Sequence, residues 1–263
     1  MRAKILFSFP GLMAISCCNP SFQPPTGFTA PVIVMKDTAI NTNPYPLVCS
    51  IPLPNGFTRL KADSNSFAFW LKNVHLKKDK QVHLYDGSLK ENQTAQFAVL
   101  DMPVGNKDLQ QCADAVMHLR AQYLFDNKRF NEISFTDNEG GIYKFDQPYT
   151  IEHFNKYLEK VYGMCGTASL SKELKSKKIE DIQQGDVLIR GGFPGHAVIV
   201  MDVAVNTTGK KIYLLAQSYM PAQEIHILNN PQENTLSPWY EVNDNDDIVT
   251  PEYWFKRNEL KQW

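Results

Sequence analysis

Residues 195–218 contain the segment that most restricts how this chain can fold. The run Ala197–Met201 is apolar at every position, and a strand that is apolar on both faces has to be covered on both sides. Asn206–Gly209 has the composition of a turn, and the largely apolar run Lys211–Ala216 follows it. The pattern predicts an antiparallel hairpin in the centre of a sheet.

Two helical patterns precede this hairpin. Apolar residues recur at helical spacing over Asp108–Phe125 and again over Thr150–Tyr162. Asp108 and Gln111 have the spacing of a capping box, which predicts that the first helical turn is Leu109–Cys112. Helices followed by an antiparallel β-meander are typical of the α+β class.

Shorter elements are predicted on either side of these. Gln81–Tyr85 and Gln96–Met102 have the composition of strands, and Ser66–Leu71 fits either a short helix or a strand. The acidic run Asn229–Pro251 is predicted to be mostly loop. The aromatic run Tyr253–Phe255 is predicted to pack back onto the domain.

The first 17 residues have the pattern of a bacterial export signal. Arg2 and Lys4 precede Ile5–Ile15, an apolar stretch that is too short to span a bilayer. Small residues then precede Cys17, as in the lipobox of bacterial lipoproteins, where the cysteine is lipidated and becomes the N-terminus. An ordinary cleaved signal is the alternative. The expected location is the cell envelope, with a lipid anchor in the membrane, on the periplasmic side or at the surface.

The rest of the chain divides by composition into a tether and one domain. Residues 18–54 contain eight prolines, which disfavour both helices and central strands and predict a tether. Residues 55–263 are predicted to form a single α+β domain, with a β extension at 55–105.

Charge and cysteine spacing exclude several classes of protein. The chain has 27 Lys+Arg against 28 Asp+Glu, and this balance provides no basic surface for nucleic acid. The five cysteines include no CxxC pair, and no histidine has a partner at metal-ligand spacing. We therefore expect neither a protein-bound metal nor a cofactor.

Cys112 is the candidate nucleophile. Free backbone N–H groups and the helix dipole at a helix start stabilise a thiolate, so we expect the pKa of Cys112 to be lowered. A small buried core residue is the alternative interpretation of a lone cysteine on a helix. Cys165 is a weaker candidate, because it follows the end of a helix, where the dipole raises a thiol pKa.

His196 and Gln217 are the candidate base and its orienting residue. His196 begins the central strand beside a glycine-rich loop. Two hairpin registers are open, one pairing His196 with Gln217 and the other with Tyr219, and in both His196 and Gln217 share a face. The Gln217 amide oxygen is expected to accept the Nδ1–H of His196, which leaves Nε2 free for the thiol. Asp202 shares that face but lies too far along the strand.

The order of these residues resembles that of the NlpC-type papain-like cysteine peptidases. Gly185-Asp186 precedes Gly195-His196, and Gln217 follows on the next strand, as in that family, whereas only the cysteine of its Asp-Cys-Ser-Gly motif is present here. The resemblance implies a papain-like fold and an exported hydrolase that cuts peptide bonds in peptidoglycan. The whole chain is also similar to an uncharacterised family of bacterial exported proteins, a domain of unknown function, which implies no activity.

The predicted function is therefore that of a thiol hydrolase acting on an amide bond, with a cell-wall peptide as the first candidate substrate. Cys112 attacks, His196 transfers the proton and Gln217 orients His196. The predicted substrate contacts are Gln111, Asp114, Gly195 and Ser218. A non-catalytic envelope lipoprotein that binds glycan or protein is the main alternative, and a thiol-dependent acyl transferase is a third.

Overall fold

A computed structural model describes residues 42–263 of the chain. The predicted export signal, the lipidation site Cys17 and most of the predicted tether lie outside these residues. The described part contains four helices, α1 (Phe67–Lys72), α2 (Cys112–Asp126), α3 (Ile151–Met164) and α4 (Thr167–Glu173). No helix within it has both the length and the hydrophobicity needed to cross a membrane.

The same residues form 13 strands, most of them short. They are β1 (Phe57–Arg59), β2 (Gln96–Val99), β3 (Ser134–Thr136), β4 (Ile142–Lys144), β5 (Lys175–Ser176), β6 (Val187–Arg190), β7 (His196–Asn206), β8 (Lys211–Gln217), β9 (His226–Leu228), β10 (Tyr240–Glu241), β11 (Asp247–Val249), β12 (Trp254–Lys256) and β13 (Leu260–Gln262). Nine of them form one sheet in the order β2-β9-β8-β7-β6-β13-β5, with β1 paired to β7 and β10 paired to β8. Strands β6 to β9 are a consecutive antiparallel meander, which confirms the α+β class.

Both faces of β7 are covered, as its apolar sequence predicts. Ala197 and Ile199 belong to a helix-side cluster that includes residues of all four helices. Val198 and Val200 belong to an opposite-side cluster formed with β8 and the C-terminal strands. The central hairpin is therefore the middle layer of the domain.

The register of the β7–β8 hairpin changes once along its length. Near the turn Val205 lies opposite Lys211, whereas further along Ile199 lies opposite Ala216, and the shift occurs between Val200 and Asp202. One extra residue in β7, Met201, accounts for this shift, which makes it a β-bulge.

The bulge determines which side chains share a face. Continued to the end of β7, the register beyond the bulge places His196 opposite Tyr219, and Gln217 on the same face. At this end the strands have the second predicted register, which pairs His196 with Tyr219. Near the turn, where Val205 lies opposite Lys211, the register matches neither prediction. Without the bulge, Gln217 would point to the other face.

Several helix and strand boundaries can be compared with their predictions. Thr150 caps α3 as predicted, since its side chain accepts from the His153 N–H. The segment Ser66–Leu71, predicted as either a short helix or a strand, forms helix α1, which the Ser66 side chain caps. Helix α2 begins at Cys112 instead of Leu109, because the carboxylate of Asp114 accepts the Gln111 N–H at 3.0 Å and ends the preceding turn there.

Two segment predictions are corrected. Gln81–Tyr85 contains only isolated bridges, from His83 and Leu84, and no regular strand. Residues 42–54, assigned to the tether, reach the core, since Val48 and Ile51 are fully buried in the helix-side cluster.

An ion pair anchors the N-terminal extension to the central strand. Strand β1 pairs with β7, and Arg59 Nε donates to Asp202 Oδ2 at 2.6 Å. Asp202 is fully buried, and burial raises its pKa while Arg59 acts against that increase. Val203 belongs to the opposite-side cluster, on the face that His196 shares with Val198 and Val200. Asp202, the residue before Val203, therefore points to the other face. This corrects the prediction that Asp202 and His196 share a face.

Arg59→Met is expected to lower the free energy of unfolding by about 3 kcal/mol, because it leaves a buried carboxylate without its cation. Urea denaturation of the full chain measures this change. Lys107→Met, which removes an exposed pair with Glu159, is the control and is expected to cost about 0.5 kcal/mol or less. Equal losses for the two variants would contradict the anchoring role of Arg59.

Candidate active site

The fold brings Cys112 to the beginning of β7. Cys112 is the first residue of α2 and has 8% of its surface exposed. Its thiol lies near the backbone N–H of Ala197, the residue after His196, and a thiolate at this position would raise the pKa of Tyr219. The rings of Tyr219 and His196 are 4.8 Å apart between centroids. Cys112 and His196, which are far apart in the chain, are thus both placed at the same end of β7, with Ala197 and Tyr219 as their shared neighbours.

Contacts from the loop after β8 hold the N-terminus of α2 in this place. The Ser218 hydroxyl lies 3.0 Å from the carbonyl oxygen of Gln110 and 2.8 Å from that of Gln223. The Ala222 N–H donates to the Asp108 side chain at 2.7 Å. These bonds connect the chain just before Cys112 to the chain just after Gln217.

The four predicted substrate contacts lie in different environments. Ser218 and Asp114 are buried, and both hydrogen-bond to backbone of the protein, so they support the start of α2 rather than forming an exposed surface. A contact of these two side chains with substrate stays a prediction. Gln111 and Gly195 are half-buried. A Cβ at Gly195 would lie 2.4 Å from the Gly192 carbonyl oxygen, so this close approach of the loop requires glycine.

His196 and Gln217 form the predicted pair, but through the other ring nitrogen. His196 Nε2 lies 2.8 Å from Gln217 Oε1, and both residues are buried, with 2% and 1% exposed. Gln217 Nε2 donates to Glu252 Oε2 at 2.8 Å. Since the amide nitrogen faces the carboxylate, the amide oxygen faces His196, and Nε2 of His196 carries the proton. Nδ1 therefore keeps the free lone pair, which reverses the predicted tautomer.

Aromatic rings surround His196 and exclude water from it. The centroids of Tyr253 and Phe255 lie 5.0 and 5.9 Å from that of His196, in addition to Tyr219. Burial lowers the pKa of His196 to about 4, while the hydrogen bond that His196 donates to Gln217 acts in the opposite direction. The imidazole is neutral at pH 7. The predicted packing of Tyr253–Phe255 onto the domain is confirmed, and these residues contact the site itself.

The thiol is also neutral at rest. Burial raises the pKa of Cys112 to about 11, the charge of Asp114 adds to this increase, and the backbone N–H groups of Ala113 and Ala197 oppose it. The N–H groups at the helix start thus lower the thiol pKa, as expected from the sequence, but desolvation raises it by more. The prediction of a lowered thiol pKa is therefore wrong. Cys165 directly follows α3, and burial raises its pKa to about 12.

Sequence reasoning missed two residues that contact Gln217. Glu252 accepts from its amide, and His226 Nε2 lies 3.5 Å from the same amide nitrogen. Glu252 directly follows the acidic run predicted as loop, so no periodic pattern marks it. His226 opens β9, and its pairing with Gln217 on β8 could have been found by extending the predicted meander by one strand.

A comparison with known protein families gives a match over most of the chain. The sequence model of the family described as Domain of unknown function (4846), or DUF4846, matches residues 47–149 and 137–262. The chain belongs to the DUF4846 family. Cys112 lies in the first matched segment of this DUF4846 chain, whereas His196, Gln217 and Glu252 lie in the second. No curated protein and no solved structure matches the chain significantly.

Asp114→Asn is expected to increase the reactivity of Cys112 with iodoacetamide at pH 9. Burial raises the pKa of Asp114 to about 8, so its carboxylate is charged at pH 9 and disfavours the thiolate. The neutral amide removes that charge and still accepts the Gln111 N–H. The rate of alkylation is followed by mass spectrometry of the peptide that contains Cys112.

Glu159→Gln, which removes an exposed carboxylate on α3, is the matched control and is expected to leave the rate unchanged. A rate in Asp114→Asn equal to that of the wild type would show that the charge of Asp114 does not control the thiol.

Proposed function

We propose that this DUF4846 protein is a thiol hydrolase that cleaves an amide bond. The observation that supports the proposal is that the Cys112 thiol, at the start of α2, lies near the Ala197 N–H, directly after His196, which is hydrogen-bonded to Gln217. A thiol, an imidazole and a third group that fixes the imidazole are the parts that nucleophilic catalysis requires.

The protonation states favour general-base catalysis rather than a preformed ion pair. Cys112 and His196 are both neutral at pH 7, so Nδ1 of His196 takes the thiol proton as the sulfur attacks the carbonyl carbon. The resulting oxyanion is stabilised by the Cys112 N–H, which has no partner within the helix at its first position.

The remaining steps use the same residues. His196 returns the proton to the leaving amine, and the acyl group stays on Cys112 as a thioester. Water then attacks the thioester with His196 as base. The products are the amine and a carboxylic acid, and the free thiol is regenerated.

A cell-wall peptide is the substrate class that we propose, in an envelope lipoprotein anchored through Cys17. Its support is the resemblance of Gly185-Asp186 and Gly195-His196 to the NlpC-type peptidases, together with the export pattern of residues 1–17. In that proposal α2 and the meander β6–β9 correspond to the papain-like core.

Three exposed apolar side chains adjoin residues of the site in the sequence. Phe193, Met220 and Trp254 are exposed, and each lies close in sequence to a ring at the site, namely that of His196, Tyr219 or Tyr253.

A non-catalytic binding protein is the second candidate. The raised pKa and the low exposure of Cys112 favour it, because a thiol that is neutral and buried reacts slowly. In that case the same scaffold binds glycan or protein at the envelope.

Hydrolysis of purified peptidoglycan separates the two candidates. The wild type is expected to release new amino groups and matching carboxylates, and Cys112→Ala is expected to lose at least about 100-fold in rate while keeping its circular dichroism spectrum. Cys165→Ala, which changes another buried cysteine, is the control that retains activity.

Retained hydrolysis by Cys112→Ala would refute the assignment of the nucleophile. Equal binding of wild type and Cys112→Ala to peptidoglycan, with no product from either, would identify the binding protein instead. Transfer of the acyl group to an added amine would identify an acyl transferase.

The acid limb of kcat/KM is expected near pH 4. His196 acts as a base only when neutral, and its pKa is lowered to about 4, so the rate stays level from pH 7 to about 5 and falls tenfold per unit below about 4. Initial rates on a soluble stem peptide measure this profile, and a limb near pH 6.5 would contradict it.

Folding must be checked at each pH in that experiment. His118, His196 and His226 have lowered pKa values of about 4, 4 and 3 in the folded protein. At these three histidines the unfolded chain binds more protons below pH 6.5, so their contribution to stability is lost as the pH falls through this window. Far-UV circular dichroism at each pH is the control.

A further inference from the structure

Glu252 lies between the candidate site and the N-terminal extension. Its side chain is 14% exposed, and its two oxygens have different partners. Oε2 accepts from the Gln217 amide at 2.8 Å. Oε1 accepts from Lys90 Nζ at 2.7 Å and from Asn92 Nδ2 at 3.2 Å. The Lys90 side chain is only 6% exposed, so the ion pair is largely shielded from water.

The donors and acceptors of this network fix one orientation of the Gln217 amide. Lys90 only donates, so the carboxylate of Glu252 accepts on both of its oxygens. His226 Nδ1 donates to the carbonyl oxygen of Glu224 at 2.9 Å, so its Nε2 is an acceptor, and it lies 3.5 Å from the amide nitrogen of Gln217. A flipped amide would place its oxygen against both of these acceptors.

We propose that Glu252 is a positioning residue, held by Lys90 and Asn92, that sets the tautomer of His196 through the Gln217 amide. With the amide nitrogen directed to Glu252 and His226, the amide oxygen can only accept from Nε2–H of His196. Nδ1 is then the nitrogen available as a base. The catalytic meaning of this tautomer rests on the proposed function, whereas the tautomer itself does not.

The proposal also gives a role to residues 55–105. Internal hydrogen bonds stabilise the loop that contains Lys90. The Lys90 N–H donates to the Val82 carbonyl oxygen at 2.9 Å, and Gln93 Nε2 donates to the carbonyl oxygens of Val82 and Lys90. The loop therefore presents the ammonium group to Glu252 from a fixed position. The extension supports the base from a distance and contributes no reacting group.

Glu252→Gln tests the relay because it keeps the shape and changes one oxygen into a donor. The remaining oxygen of the substituted side chain stays with Lys90, which cannot accept, and the new amide nitrogen then faces Gln217. Gln217 has to flip in order to accept, and its own nitrogen then faces Nε2 of His196. We expect the proton of His196 to move to Nδ1 in all or part of the molecules.

Imidazole ¹⁵N shifts of the full chain, labelled in its histidines, report the tautomer directly. His196 is assigned by the signal that is lost in His196→Gln. The expected result is a proton on Nε2 of His196 in the wild type and a transfer to Nδ1 in Glu252→Gln. Glu259→Gln, which disrupts the nearby Arg190–Glu259 pair, is the matched control and is expected to keep the wild-type tautomer.

A wild-type His196 with its proton on Nδ1 overturns the proposal, and this result does not depend on any variant folding. An unchanged tautomer in folded Glu252→Gln overturns it as well. Turnover is measured on the same samples, and Glu252→Gln is expected to lower kcat about 100-fold with KM within about twofold. A tautomer that switches in a protein with no hydrolase activity supports the relay and refutes the proposed function.

Discussion

The single-residue bulge at Met201 is the constraint on which the candidate site depends. Side chains on a strand alternate between faces, so one extra residue reverses the face of everything beyond it. On the turn side of the bulge, Asp202 reaches Arg59 and the extension. On the other side, His196 and Gln217 come to a common face. Strand β7 thereby anchors the extension at one end and carries a residue of the candidate site at the other.

Burial of the site has a chemical consequence. The same aromatic packing that fixes His196 also removes water from it, and the helix start that could stabilise a thiolate is covered together with Cys112. Desolvation opposes charge on both groups, which places both in their neutral forms. In the hydrolase that we propose, the proton would leave the thiol as the carbon–sulfur bond forms, so the position of the base lone pair would matter more than a low thiol pKa.

The sequence predicts the elements of this site better than the details that set its chemistry. The apolar run Ala197–Met201 and the capping residue Thr150 are local signals, and they led to the central hairpin and to α3. Met201 is as apolar as its neighbours, so nothing in the composition marks the bulge. The start of α2 depends on Asp114, inside the helix, and the tautomer of His196 depends on Glu252, 35 residues after Gln217. Contacts of that range are set by packing and leave no periodic pattern.

The amide of Gln217 separates the charge of Glu252 from the imidazole. A carboxylate in direct contact with His196 would favour the imidazolium and raise its pKa. Here Gln217 stands between them, and Lys90 balances the charge of Glu252 on its far side. The network therefore fixes the orientation of the imidazole, while the effect of the Gln217 hydrogen bond, which raises the pKa of His196, is outweighed by burial. In the proposed hydrolase, an imidazolium formed during attack would hold its proton weakly, because burial lowers the pKa of His196, and would pass it readily to the leaving amine.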